Sequence, residues 1–329
     1  MGEFELLAKL RERLPAAGPR IALGSGDDAA VTIPGGATAT SVDAIVEGVH
    51  FRRGEADLAT IGRKALATAL SDLAAMGAEP GEAYVVLGAP GDLDEDGFHA
   101  LLDGMLELAQ ATGTAIAGGD LTRAPVLTLA ATVVGHAPEP SDFVTRGGAA
   151  AGDLLVLTGE IGGAGAGRLL LDDPTLAGAV SEDAAARLRA RQLDPSPRLH
   201  SGRALAQAGA TAMIDLSDGL AGDAAHLARA SGVGVEIDCG SLPLAKGLAE
   251  VAAASGVDPL QLAVSGGEDY ELLAALPANA LGEASLRMGE AAETTLTPIG
   301  KVSSAGGVEF RLPGGGRLEA VGYDHLAEP

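Results

Sequence analysis

The chain has 329 residues, 47% of them hydrophobic but only 2% aromatic, and a formal net charge of −23; that length suits about two domains with aliphatic cores. So acidic a surface is unsuited to nucleic acid or an anionic membrane, both of which are held by clustered Lys and Arg. The single cysteine, Cys239, excludes an intramolecular disulfide and a cysteine-based zinc cluster. The opening residues lack the apolar core of a signal peptide, no apolar run nears the ~20 residues of a membrane span, and a cytoplasmic protein is expected.

Near the start, Phe4, Leu7, Leu10 and Leu14 recur at helical spacing. Strand-like runs follow at 29–33 and 38–46, joined by Pro34, Gly35 and Gly36. Residues 57–76 predict a long helix, with Asp57 as its N-cap and Gly77 as its stop. A strand at 83–87, a helix at 94–111 and strands at 114–117 and 126–134 complete the first half. Residues 137–152 are rich in Pro, Gly and Ala and mark a boundary between halves. Beyond it, strands are expected at 153–157, 212–214, 233–237, 270–276 and 296–302. Helices are expected at 161–172, 181–192, 197–208 and from the 215–219 turn to 231. Pro298 makes the last strand an edge strand at best. Alternation of strands and helices in both halves indicates an α/β or α+β protein.

Five segments rich in Gly, Asp and Ser follow apolar runs: 24–28, 41–43, 118–120, 215–219 and 265–269. Asp72 joins them, because a carboxylate among Leu70, Leu73 and Ala74 is out of place unless it faces solvent or a ligand. A single Asp in a turn ordinarily serves the backbone, and Asp57, Asp92 and Asp94 are read as caps or turns. The set as a whole suits magnesium, which takes one or two carboxylates together with substrate phosphates and water. Adjacent glycines let phosphates approach the backbone. Metal ions also reconcile an acidic protein with an anionic ligand. The sequence contains no G-x-x-x-x-G-K-[ST], G-x-S-x-G or H-E-x-x-H. The glycine-rich run at 162–167 reads as a flexible lead-in to a helix. Among the histidines His50 stands out, closing DAIVEGVH just after the acidic 41–43 segment.

The strings GSGDDAAV, SVDAIVEGVHF, ALSDLAAMGAEP, AGGDLTRAP, DLSDGL, SGGEDYELL and GYDHL occur in one order along the chain. Together they resemble the thiamine-monophosphate kinase family, over essentially the whole length. Its superfamily includes aminoimidazole ribonucleotide synthetase, selenophosphate synthetase and a hydrogenase-maturation protein. The resemblance implies an α/β (α+β) protein of two domains. Residues 1–140 would form a mixed sheet with helices that carries the dimer interface and binds ATP and magnesium; residues 141–329 would form an α/β domain. It implies transfer of the γ-phosphate of ATP to thiamine monophosphate by a homodimer with active sites near its interface. Asp28, Ser41, Val42, Asp43, Asp72, Asp120, Asp215 and Asp218 match metal-binding positions, Val42 through its backbone carbonyl alone. Gly119, Asp120, Arg146 and Ser217 match positions that contact ATP, and His50 and Glu268 match positions that contact the thiamine phosphate. Some relatives cover the thiamine rings with an aromatic that would fall near Ala320. This chain has no Trp; Tyr323 is either the substitute or a packed anchor of the C-terminus. The acceptor would be a phosphate oxygen already ionised near neutral pH, so no general base is required and direct in-line transfer is expected. Two other readings stay open here: another ATP-using enzyme of the superfamily, and a non-catalytic nucleotide-binding subunit.

Overall fold

The computed structural model describes residues 9, 12–14, 20–25, 29–291 and 294–322, with side chains described to 289 in the helix that ends at 291. Most of the helix expected at the N-terminus lies outside them, as do Asp28 and Tyr323. The chain divides into two compact units, Met1–Leu73 with Ala78–Asp142, and Ala74–Gly77 with Phe143–Pro329.

The first unit opens with a short antiparallel pair, β1 (Ile21–Leu23) and β2 (Val31–Thr32). Then come β3 (Ala37–Val46), helix α1 (Leu58–Ala75), β4 (Glu79–Ala89), helix α2 (Glu95–Thr112), β5 (Ala115–Arg123) and β6 (Thr128–Ala137). The larger strands form a mixed sheet in the order β3-β6-β4-β5, antiparallel except for the β4–β5 pair. Asp57 starts α1 by accepting the Thr60 N–H at 2.7 Å. Gly77, at φ 65°, ends its last turn. Asp94 caps α2 through the Gly97 N–H at 2.8 Å. The helices cover one face of the sheet, where Ile45, Ile61, Leu87, Phe98, Leu101, Met105 and Leu129 form the core. A side chain at Gly104 would collide with the Ala59 carbonyl, and one at Gly62 with the Leu101 carbonyl. These two glycines therefore let the backbones of α1 and α2 touch.

On the other face of this sheet, Ala44, Ala130, Val86 and Asp120 stand in register across the strands. The neighbouring row is Val42, Thr132, Tyr84 and Gly118. Val42 is 66% exposed and Val86 44%.

In the second unit, a seven-stranded sheet runs β13-β12-β9-β11-β7-β10-β8. Its strands are β7 (Leu154–Thr158), β8 (Ala212–Asp215), β9 (Gly234–Asp238), β10 (Leu272–Leu276), β11 (Leu296–Ser303), β12 (Gly307–Arg311) and β13 (Arg317–Leu318). The helices used below are α3 (Gly163–Asp172), α4 (Glu182–Leu193), α5 (Leu199–Gln207) and α6 (Leu220–Ser231). Aliphatic side chains dominate the core, among them Leu155, Leu157, Ile214, Leu227, Ile237, Leu248, Val251 and Leu273. The whole LLAAL run of β10 is buried, as a continuous apolar strand requires.

One expectation fails in this sheet. β11 is not an edge strand, because it lies between β9 and β7. Pro298 pairs with Val156 of β7, whereas the ladder to β9 begins only at Gly300. A register shift between Pro298 and Gly300 absorbs the missing donor. Among the described residues, no helix is long and apolar enough to cross a membrane.

Candidate active site

The 41–43 segment lies inside β3, where a strand is expected over 38–46, whereas 118–120, expected to follow a strand ending at 117, lies inside β5. Strand alternation turns Ser41 and Asp43 towards the helices and Val42 to the open face. The Ser41 hydroxyl donates a short hydrogen bond to the Asp72 carboxylate on α1. Asp43 Oδ1 accepts the Ala44 N–H at 2.7 Å. Asp120 does not join them: it stands opposite Val86, on the other face of the sheet. Gly119 has a purely structural reason to be glycine, since a Cβ there would collide with the Val85 carbonyl.

His50 follows β3 in a tight bend. Its Nδ1 accepts the Val46 N–H at 3.1 Å, so a neutral ring carries its proton on Nε2 and presents a donor there. Beneath it, the buried Lys64 donates its Nζ to the His50 carbonyl at 3.1 Å. Sequence reasoning missed Lys64, which follows Arg63 and precedes the largely apolar run 65–70.

In the second unit, Asp215 ends β8 and Asp218 lies in the turn that leads into α6. Asp223, in the first turn of α6, accepts the Asp218 N–H at 3.2 Å. It is only 2% exposed. Burial, followed by the charges of Asp215 and Asp218, pushes its carboxyl from 3.8 up to about 8, against the pull of the Asp218 N–H and Arg146. This residue too was missed, one charge in an Ala/Leu-rich helix start. The Arg146 loop is pinned by Ser231 at the far end of α6: Ser231 Oγ accepts the Gly148 and Ala149 N–H groups and donates to the Arg146 carbonyl, each at 3.1 Å.

The 265–271 segment lies against the 215–219 turn. Glu268 and Tyr270 donate their N–H groups to the Ser217 and Leu216 carbonyls at 2.8 and 2.9 Å, and Leu216 donates to the Glu271 carbonyl at 2.8 Å. A Cβ at Gly267 would come 2.5 Å from the Ser217 carbonyl oxygen, so the close approach itself demands glycine. Asp269 is buried, and its carboxylate accepts the Gly162 N–H at 2.5 Å and the Ala164 N–H at 2.9 Å. Burial raises its carboxyl to about 6, while Arg191 and those two amides restrain the rise. The glycine-rich run at 162–167 is thus a helix start fixed by a carboxylate, not a flexible lead-in.

Ala320 packs against the core of the second unit. Gly322 is the last described residue; a Cβ on it would come 2.6 Å from the Gly222 Cα and 3.2 Å from the Asp218 carbonyl oxygen. The chain therefore crosses α6 beside Asp218 immediately before Tyr323.

Among the described residues, no group of three or more His, Cys, Asp or Glu side chains is gathered to hold a metal unaided. Magnesium bound with a nucleotide needs no such cage, because phosphates and water complete its shell. Burial beside Asp215 and Asp218 favours the protonated form of Asp223, and carboxylate oxygens are the donors that Mg2+ prefers, so the chemistry of these residues suits that ion. Between pH 4 and 8 the folded state holds the Asp223 proton while the unfolded chain has released it, so the metal-free protein loses stability as pH rises towards 8. Magnesium binding at pH 7 should then release about one proton. Calorimetric titrations in two buffers of different ionisation heat would measure that release; identical heats would contradict it.

Two family models match the chain, AIR synthase related protein, N-terminal domain, over residues 26–137, and its C-terminal domain over 150–313. They define the class to which the fold and the acidic turns correspond. Thiamine-monophosphate kinase of Escherichia coli is 37% identical over 335 residues, covering 100% of this chain and 99% of its own. The crystal structure of thiamine-monophosphate kinase from Stenotrophomonas maltophilia matches with a TM-score of 0.83 at 35% identity, covering 94% of this chain and 96% of that one. A structure described as AaThiL complexed with AMPPCP and TMP matches with a TM-score of 0.76 at 28% identity, covering 99% and 97%. The chain belongs to the thiamine-monophosphate kinase family.

Proposed function

We propose that this protein transfers the γ-phosphate of ATP to thiamine monophosphate, giving thiamine diphosphate and ADP, by direct in-line transfer with several Mg2+ ions. The observation that carries this reading is the pairing of the acidic 215–219 turn with the 265–271 segment, where Glu268 and Tyr270 donate their N–H groups to the Ser217 and Leu216 carbonyls and so hold Asp215 and Asp218 close to Glu268. Family membership narrows the donor and the acceptor. The residues proposed to hold magnesium are Asp28, Ser41, the Val42 carbonyl, Asp43, Asp72 and Asp120 in the first unit, with Asp215 and Asp218 in the second. When bound, the metal ions supply the charge that lets two polyanions approach each other.

The protein's own groups position the reactants. Gly119, Asp120, Arg146 and Ser217 are proposed to contact ATP; the Ser231 anchor holds the Arg146 loop in one course. His50 would donate its Nε2 proton to an oxygen of the acceptor phosphate, in the tautomer that the Val46 N–H enforces. The Glu268 carboxylate suits the cationic thiazolium ring, and Tyr323 would supply a stacking surface. No residue is assigned as a base, since the attacking oxygen is already ionised and catalysis rests on positioning and charge.

The open sheet face bearing Val42 and Val86 suits a homodimer formed through the first unit, in a cytoplasmic enzyme. Transfer from ATP made chiral at its γ-phosphorus is expected to invert configuration in the thiamine diphosphate product. Net retention would replace direct transfer with a phospho-enzyme route.

A further inference from the structure

Glu271 has no role assigned toward either substrate, yet it is the buried centre of an ionic cluster. Glu271 is 0% exposed, and each of its carboxylate oxygens is held twice. Oε1 accepts from Arg191 at 2.9 Å and from Arg198 Nη2 at 2.6 Å; Oε2 accepts from Arg198 Nε at 2.8 Å and from Thr158 Oγ1 at 2.7 Å. Arg191 also donates its Nη2 to the Glu160 carbonyl at 2.9 Å and the Asp269 carbonyl at 3.2 Å. Burying such charges costs desolvation that an apolar cluster would avoid; what the cluster adds is fixed geometry.

That geometry acts on the backbone just before Glu271. Glu268 and Tyr270 adopt φ of 66° and 50°, a left-handed course that a residue with a side chain keeps only when its surroundings enforce it. Inside this stretch the Asp269 carboxylate is tied to the start of α3, and directly after it Glu271 is tied to its cluster. Gln192, buried at the end of α4, donates its Nε2 to the Glu268 carboxylate in a short contact. The same backbone donates to Leu216 and Ser217, so its course and that of the acidic turn are set together.

We infer that Arg191, Arg198 and Glu271 are positioning residues that clamp the 268–270 backbone with Glu268 and Tyr270 in their left-handed conformations, and that Gln192 aims the Glu268 carboxylate at the acceptor. Only the last step rests on the proposed function.

Two measurements on the full chain test it. In Arg198→Lys, which keeps the charge but loses the forked contact, the amides of Leu216, Glu268 and Tyr270 should exchange hydrogen about tenfold faster than in the parent. The amides of Leu155 and Ala274 should keep their parental rates. Equal acceleration at all five positions would show a merely structural role and overturn the clamp. Should this variant fail to fold, Arg191→Lys reports on the same cluster from its more exposed side. In Gln192→Leu, the KM for thiamine monophosphate should rise about tenfold, with a smaller fall in kcat. Gln192→Glu should raise that KM further, by setting a second carboxylate against Glu268. An unchanged acceptor KM in both would overturn the role of Gln192. Hydrogen exchange needs no substrate, so a parent protein that makes no thiamine diphosphate would refute the functional reading alone.

Discussion

Asp215→Asn is expected to slow thiamine diphosphate formation by at least about 1000-fold, while the midpoint of thermal unfolding stays at or above that of the parent. Both halves of this result follow from the same geometry. Asp215 ends β8 and is 3% exposed, and its charge helps push the Asp223 carboxyl upwards. Removing one of the two carboxylate charges beside the protonated Asp223 relieves repulsion in the metal-free protein, so folding should not suffer. The charge that would hold magnesium against the phosphates is lost, and with it the stabilisation on which phosphoryl transfer depends. Steady-state kinetics at saturating ATP and magnesium, paired with calorimetric unfolding, would measure both effects. A near-normal kcat would remove Asp215 from the site.

The second large effect is expected from Asp72→Asn, about 100-fold or more in kcat. The amide oxygen can still accept the Ser41 hydroxyl, so the link between β3 and α1 survives and the fold is retained. Only the charge disappears. If Asp72 holds magnesium, the variant should recover part of its activity as magnesium is raised, because weakened binding is opposed by mass action. A parental kcat and an unaltered magnesium dependence would exclude it.

Much of the fold was legible because local signals agreed with tertiary packing. Asp57 and Gly77 bracket α1 as expected, and Asp94 caps α2. A strand is expected at 270–276, and its LLAAL part forms one. Where the reading failed, a distant partner decided the outcome. Gly119 and Asp120 look like turn residues, since Gly and Asp are poor strand formers; the ladder with β4 overrides that preference. Pro298 is admitted to an inner strand by a register shift that no local pattern announces. The fixed start of α3 depends on Asp269, more than a hundred residues further along the chain.

The candidate site was legible in a different way. The acidic turns and His50 stand out by composition, but which of them meet is a matter of strand parity and helix phase. That is why Ser41 finds Asp72 while Asp120 faces the opposite side of its sheet. Asp223 carried a usable signal, a lone charge at an apolar helix start, that was read only at Asp72. The Glu271 cluster had no such signal, because Thr158, Arg191 and Arg198 reach it from far along the sequence.

The most direct test of the account is to incubate the purified protein with ATP, Mg2+ and thiamine monophosphate and quantify the products by mass. Thiamine diphosphate and ADP are expected in equal amounts, with neither formed when magnesium is chelated. ADP without thiamine diphosphate, or ATP bound but never consumed under saturating conditions, would contradict it.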